Sequence, residues 1–305
     1  MSSGFRYDLY GAGLVSDRPL ESVPSSGLGG PAAPLRIGEL PPRGAAEPGD
    51  PVDGALPRID RLPAGAIRVR FADMACFVLE PAGGIWCDWP SPLTQRDAET
   101  YLLGPVAGLH ARLRGRLAIH ASVVEARGRA IAFAGDSGSG KSTLAAAFAR
   151  AGHRVLSDDL LVLDTDGGSP SALPGYPGVR LWAESVAGLF GDAEALPRMT
   201  PGWDKRYLDL AGPGLFQNAG RELAAICVLT GERGPAAQFE RLTPAAALVE
   251  LSRHTQGSRV LAKNARRDEF RSLGELARAV PVWRLSAPRH DALTKFCEHT
   301  HVFHS

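Results

Sequence analysis

The residues Gly135-Asp136-Ser137-Gly138-Ser139-Gly140-Lys141-Ser142-Thr143 follow directly on the apolar run Ala130 to Ala134. Few local patterns restrict a fold more. A strand must deliver the chain to a loop whose glycines release the backbone, so that successive N–H groups point inward at phosphate oxygens. Lys141 supplies a mobile cation for β- and γ-phosphates, and the Ser142 hydroxyl is placed to ligate Mg²⁺. The alanine-rich stretch from Ser142 to Ala151 predicts a helix whose positive end faces the same anion. The expectation is therefore a nucleoside-triphosphate site built from residues 135–143.

The rest of the 305 residues limits the alternatives. A net charge of +1 provides no field to recruit nucleic acid or an anionic membrane. There is no run of about 18 apolar residues and no signal-peptide core, so a soluble cytoplasmic protein is expected. Cys76, Cys87, Cys227 and Cys297 are widely spaced, which favours reduced thiols over a disulfide framework or a zinc site. Only Lys141, Lys205, Lys263 and Lys295 are lysines among 34 basic residues. Where arginine meets the general need for positive charge, a lysine such as Lys205 invites a specific role.

Short alternating segments at 5–10, 35–37, 66–71, 76–79 and 85–88 predict an N-terminal, mainly antiparallel β module over residues 1–92. It contains a Pro/Gly-rich linker at about 23–60, densest between Pro24 and Pro57. A second domain is expected over 93–305. It opens with an amphipathic helix from Thr94 to Arg114, kinked at Gly104-Pro105. Leu117 to Val124, a turn at Glu125 to Gly128, and Arg129 to Ala134 read as a β-hairpin feeding the phosphate loop. A strand from Arg154 to Ser157 follows the loop helix and ends at Asp158-Asp159. Later strands are expected at 160–163, 179–182, 205–210, 223–230 and 282–286, with helices at 184–190, 244–254 and 271–280. The fold class is α/β with a mixed sheet.

Phosphoryl transfer needs an acid to hold the metal and a base toward a hydroxyl acceptor. Asp158 and Asp159 lie one helix beyond Lys141, on a strand that returns toward the loop. His120 sits in an apolar strand whose hairpin partner carries the loop. Arg180, Lys205 and Arg206 are candidates for a phosphate or acceptor clamp, against the plainer reading of surface ion pairs. The tail Cys297-Glu-His299-Thr-His301-Val-Phe-His304 has soft-ligand composition but no fixed spacing, and reads as a terminus rather than a metal site.

Taken in order, Ile119-His120-Ala-Ser-Val, the hairpin, the loop, and Gly152-His153-Arg-Val-Leu-Ser-Asp158-Asp159 resemble the catalytic core of the HPr serine kinase/phosphorylase family. The resemblance covers about residues 117–164. It implies a P-loop kinase domain like that of phosphoenolpyruvate carboxykinase, using ATP and Mg²⁺. It further implies that Asp158 is the base toward an acceptor serine, that His120 supports it, and that Ser142 and Asp159 serve the metal. Two departures stand out: Thr143 replaces a family glutamate after Lys-Ser, and no Gly/Arg/Pro-rich C-terminal signature is found, so phosphorylase activity is not implied. The opening Tyr7 to Leu14 and the overall layout are similar to HPr-kinase-like proteins of lasso-peptide and other peptide-maturation systems, which implies a precursor peptide as acceptor.

The expected function is thus ATP-dependent phosphorylation of a serine or threonine hydroxyl on a peptide or protein. A small-molecule kinase and a non-catalytic nucleotide-binding regulator are the alternatives. The first usually begins near its loop, whereas 134 residues precede Gly135 here. A transport ATPase subunit would need an L-S-G-G-Q-like signature, which is missing. No nucleic acid or membrane partner is expected, and the sequence leaves homo-oligomerisation open.

Overall fold

The computed structural model describes residues 4–25, 30–41, 57–258 and 263–288. The tail with Cys297 and its histidines, Lys295, and residues 26–29 and 42–56 of the Pro/Gly-rich stretch lie outside them. The chain forms two compact units that divide between Gly115 and Arg116. Among the described residues, no helix is long and apolar enough to cross a membrane.

The first unit is one seven-stranded sheet. Its strands are β1 (Phe5–Leu9), β2 (Ala12–Ser16), β3 (Ala33–Ile37), β4 (Arg58–Arg61), β5 (Ile67–Arg70), β6 (Cys76–Leu79) and β7 (Ile85–Asp88), in the order β1-β2-β3-β7-β6-β5-β4. Pairing is antiparallel except at β2–β3 and β3–β7. β2 and β4 escape sequence reading because one contains a glycine and the other, Arg-Ile-Asp-Arg, has a single apolar residue. Helix α1 (Gln95–Tyr101) starts at a capping box between Thr94 and Asp97. A π turn at Leu102–Val106 contains Pro105, which has no N–H to donate, and α2 (Ala107–Leu113) follows. These helices, expected to open the second domain, belong with the first unit. The Tyr101 hydroxyl donates to Asp73 at 2.6 Å, and Glu99 accepts the N–H groups of Glu21 and Ser22. Cys76 and Cys87 are buried free thiols here, as Cys227 is in the second unit.

The second unit begins with the hairpin of β8 (Ala118–Ala126) and β9 (Arg129–Gly135), in register from Ala121 opposite Ala134 to Ala126 opposite Arg129. Arg127 and Gly128, at φ 51° and 78°, form the two-residue turn that matches strand twist. After the loop come α3 (Lys141–Arg150), β10 (Val155–Ser157), β11 (Leu160–Asp164), β12 (Ser171–Ala172), β13 (Gly178–Trp182), α4 (Ala183–Phe190) and β14 (Lys205–Asp209). β15 (Arg221–Gly234), β16 (Gln238–Arg241), α5 (Pro244–Arg253), α6 (Lys263–Ala279) and β17 (Val282–Pro288) complete it. β9 runs antiparallel to β8 but parallel to β15, which in turn runs parallel to β17, so the sheet is mixed. β13 and β14 pair separately.

Burial on both faces explains the unbroken apolar run of β9. Ile131 and Phe133 pack with Leu144 and Phe148 of α3 and with Val186 of α4. Ala130, Ala132 and Ala134 face Leu251 of α5 and Leu273 and Leu276 of α6. Small residues on that side let the helices approach closely. The layers clamp β9, and that fixes where its C-terminal end presents the loop.

Candidate active site

Gly135 leaves β9 at φ 146°, and a Cβ there would stand 2.8 Å from Ser139 Oγ and 3.0 Å from the Leu229 carbonyl oxygen. Gly140 caps α3 in the left-handed region at φ 100°. Both positions need glycine, one for space and the other for conformation. Lys141 is only 6% exposed; its Nζ donates to the carbonyls of Gly135 at 2.9 Å and Asp136 at 2.7 Å. Burial lowers the Lys141 pKa, opposed by the carboxylates of Asp158, Asp159 and Asp136. The loop is thus closed around its own lysine.

β8 organises the rest. On its other edge it pairs with β10 and then β11, and the register shifts at Val155–Ser157. Asp158 and Asp159 lie between the two strands, and Asp159 is left-handed at φ 73°. Ser157 bridges the irregularity by donating to the Leu160 carbonyl at 2.6 Å. Regular alternation would send neighbouring side chains to opposite faces; the bulge breaks that rule and turns both acids toward the loop, Asp158 onto Ser142 and Asp159 into the cleft.

Asp158 is fully buried. Its Oδ1 accepts from Ser142 Oγ at 2.9 Å and Ser122 Oγ at 2.7 Å, and its Oδ2 accepts the Arg180 N–H at 2.9 Å. Burial, reinforced by the Asp159 charge, pushes its carboxyl upward in spite of those donors. Asp159 instead lines an open cleft of about 240 Å³, together with His120, Ser137, Gly138, Lys141, Arg180 and Lys205. Arg180 Nη1 lies 3.2 Å from Asp159 Oδ2. Burial would raise the Asp159 carboxyl, but the Arg180 charge, then those of Lys205 and Lys141, hold it below the usual carboxylate range. Of the two acids, Asp159 lines the cleft, while Asp158, which the resemblance implies as the base, is buried against Ser142 and Ser122.

His120 Nδ1 is 2.8 Å from the Asp159 carbonyl oxygen. A carbonyl only accepts, so Nδ1 carries the proton and Nε2 of the neutral ring is left as an acceptor. Burial first, then the Lys141 charge, lowers the His120 pKa. Lys205 is also in the cleft, its Nζ 5.0 Å from the ring centre of Trp182. Arg206, its neighbour, is not. The Arg206 side chain is 1% exposed and pairs with the exposed carboxylates of Glu194 and Asp204, so in place of the clamp expected there it forms structural ion pairs.

Three participants had no clear signal in the sequence. Glu184 and Ser185, in the first turn of α4, line the cleft, and Ser185 Oγ is 2.9 Å from Thr143 Oγ1. His254 ends α5 where β9 has left the sheet: its carbonyl accepts the His120 N–H at 2.7 Å, and its ring stands 3.8 Å from Asp136 Oδ1. Ser122 could have been found, because period two puts it on the same face of β8 as His120.

Buried neutral histidines give a pH dependence with a definite sign. His120, His254 and, in the first unit, His110 all have pKa values lowered from 6.5, chiefly by burial. The unfolded chain then binds more protons below that value. Stability is full above pH 6.5 and should fall as the pH drops toward the folded-state values. In Asp158→Asn, which removes the raised carboxyl of opposite sign, thermal melts between pH 7.5 and 5.5 should show a declining midpoint; a midpoint that rises would contradict the assignment.

No family model matches the chain. One relative, the HPr kinase/phosphorylase of Lactobacillus delbrueckii subsp. bulgaricus, is 38% identical over 68 residues. That match spans 22% of this chain and 22% of the relative, about a fifth of its length. The HPr(Ser) kinase/phosphatase from Coxiella burnetii aligns over 61% of this chain and 94% of its own, at 12% identity and a TM-score of 0.34. A superposition that loose adds no weight.

Proposed function

We propose, from the premise that this chain is HPr-kinase-like, that the second unit is an ATP-dependent kinase. It would transfer the γ-phosphoryl group to a serine or threonine hydroxyl of a peptide or protein, on a core resembling that of phosphoenolpyruvate carboxykinase. One observation carries the reading: residues of the glycine-rich loop, Asp159, His120, Lys205 and Arg180 line a single cleft. Loop N–H groups and Lys141 suit the β- and γ-phosphates. Lys141 would exchange its two carbonyl partners for phosphate oxygens.

The donor chemistry fits Mg²⁺. Ser142 and Glu184 offer hard oxygen atoms in the cleft, with Asp158 behind Ser142, and Mg²⁺ characteristically takes few protein ligands beside phosphate and water. When bound, the ion supplies charge neutralisation on the phosphates. Asp159 then acts on the acceptor side: it accepts the hydroxyl proton as the oxygen attacks in line, with Arg180 and Lys205 beside it to offset charge on the transferred group. His120 steadies Asp159 through the backbone carbonyl. Asp158 belongs with Ser142, on the metal side.

The resemblance to peptide-maturation proteins makes a ribosomally made precursor peptide the acceptor class to try first. Incubation with γ-labelled ATP, Mg²⁺ and serine-containing precursor peptides should yield phosphoserine. Nucleotide binding without label transfer to any hydroxyl would favour a regulator and count against the kinase.

A further inference from the structure

Ser122 lies in the middle of β8, fully buried, opposite Phe133 of β9. A buried hydroxyl in an apolar strand costs stability unless it is hydrogen-bonded, and this one is committed to Asp158 Oδ1 at 2.7 Å. The same oxygen accepts from Ser142 at 2.9 Å. Strand periodicity places His120 and Ser122 on one face of β8, two residues apart. His120 reaches the backbone of Asp159, while Ser122 reaches the side chain of Asp158. One strand thus supports both acids of the bulge, each through a different group.

We propose that Ser122 is a positioning residue for the metal side of the site, holding the Asp158 carboxylate where it orients Ser142. This rests on the kinase reading above. Ser142 has one proton, and giving it to Asp158 leaves both lone pairs of its Oγ for a cation beside the phosphates. A carboxylate anchored at Oδ1 by Ser122 and at Oδ2 by the Arg180 N–H has little freedom to rotate. Without Ser122, the orientation of Ser142 rests on a less constrained partner. Supporting groups one step removed from a metal characteristically tune affinity in this way.

The test uses the full chain, a non-hydrolysable ATP analogue and Mn²⁺ as the probe cation. Nucleotide affinity is measured by calorimetry with and without Mn²⁺, for the wild type and three variants. In Ser122→Ala, metal-free nucleotide affinity should stay within about twofold of wild type, while Mn²⁺ affinity of the nucleotide complex drops roughly 10- to 100-fold. Ser122→Thr restores the hydroxyl and should recover most of that loss; Ser122→Val has the same shape without the oxygen and should not. Any general effect of added volume at this buried position would strike Thr and Val alike, and equal losses in the two would overturn the proposal. So would a Ser122→Ala protein with wild-type Mn²⁺ affinity. A wild type that fails to bind the nucleotide at all would remove the kinase reading and this proposal together, which a change confined to Ser122→Ala cannot do.

Discussion

Asp159→Asn should lower phosphoryl transfer by about 10²- to 10⁴-fold, the range associated with losing a positioned general base. ATP affinity should change little. The amide keeps the shape of the side chain but can neither take the acceptor proton nor pair with Arg180 as an anion. Asp158→Asn should fail differently. Its side chain lies outside the cleft and accepts from Ser142, Ser122 and the Arg180 N–H. An amide presents one oxygen and one nitrogen in place of two acceptors, so at least one of these donors would meet an N–H₂ group. The expected consequence is a raised Mg²⁺ requirement together with lower stability. Steady-state assays across a Mg²⁺ series separate the two variants: the Asp159 defect persists at saturating metal, and the Asp158 defect is partly relieved. Relief of both to the same extent would mean the two acids share one role.

Lys141→Met should have the next largest effect. Its ammonium bridges the Gly135 and Asp136 carbonyls within the loop and is the group best placed to meet the β- and γ-phosphates. Charged hydrogen bonds are each worth about 1.5–3 kcal/mol, so ATP affinity should drop roughly 10- to 100-fold. The loss of transition-state stabilisation should lower turnover by about 10²- to 10³-fold more. Lys141→Arg should rescue little. A planar guanidinium does not replace a compact ammonium between two converging carbonyls. Calorimetry and single-turnover assays check both parts, and wild-type affinity in Lys141→Met would exclude the loop as the phosphate site.

Much of this arrangement is legible in the residues. Glycines at 135, 138 and 140 all adopt positive φ, and the hairpin turns at Arg127-Gly128. Strands 76–79 and 85–88 match the structure residue for residue, because their apolar runs are bounded by turn formers. α6 begins at Lys263, eight residues before the apolar periodicity expected from Arg271, since its first turns carry Arg266, Arg267, Asp268 and Glu269. Which of the paired acids lines the cleft is beyond sequence reading for a specific reason. Whether Asp158 or Asp159 enters the cleft depends on a one-residue register shift and one left-handed φ, and neither leaves a mark in composition or period. Arg206 looked equivalent to Lys205, yet β14 alternates and directs the two side chains oppositely. Glu184 belongs to the site only because β13 brings the start of α4 against Thr143.

The deciding measurement is a crystal structure of the protein with a non-hydrolysable ATP analogue, Mg²⁺ and an acceptor peptide. The account expects the acceptor hydroxyl within about 2.6–3.2 Å of the Asp159 carboxylate, in line with the γ-phosphorus, and Asp158 on Ser142 behind the metal. A hydroxyl seated on Asp158, or a triphosphate lying away from residues 135–143, would contradict it.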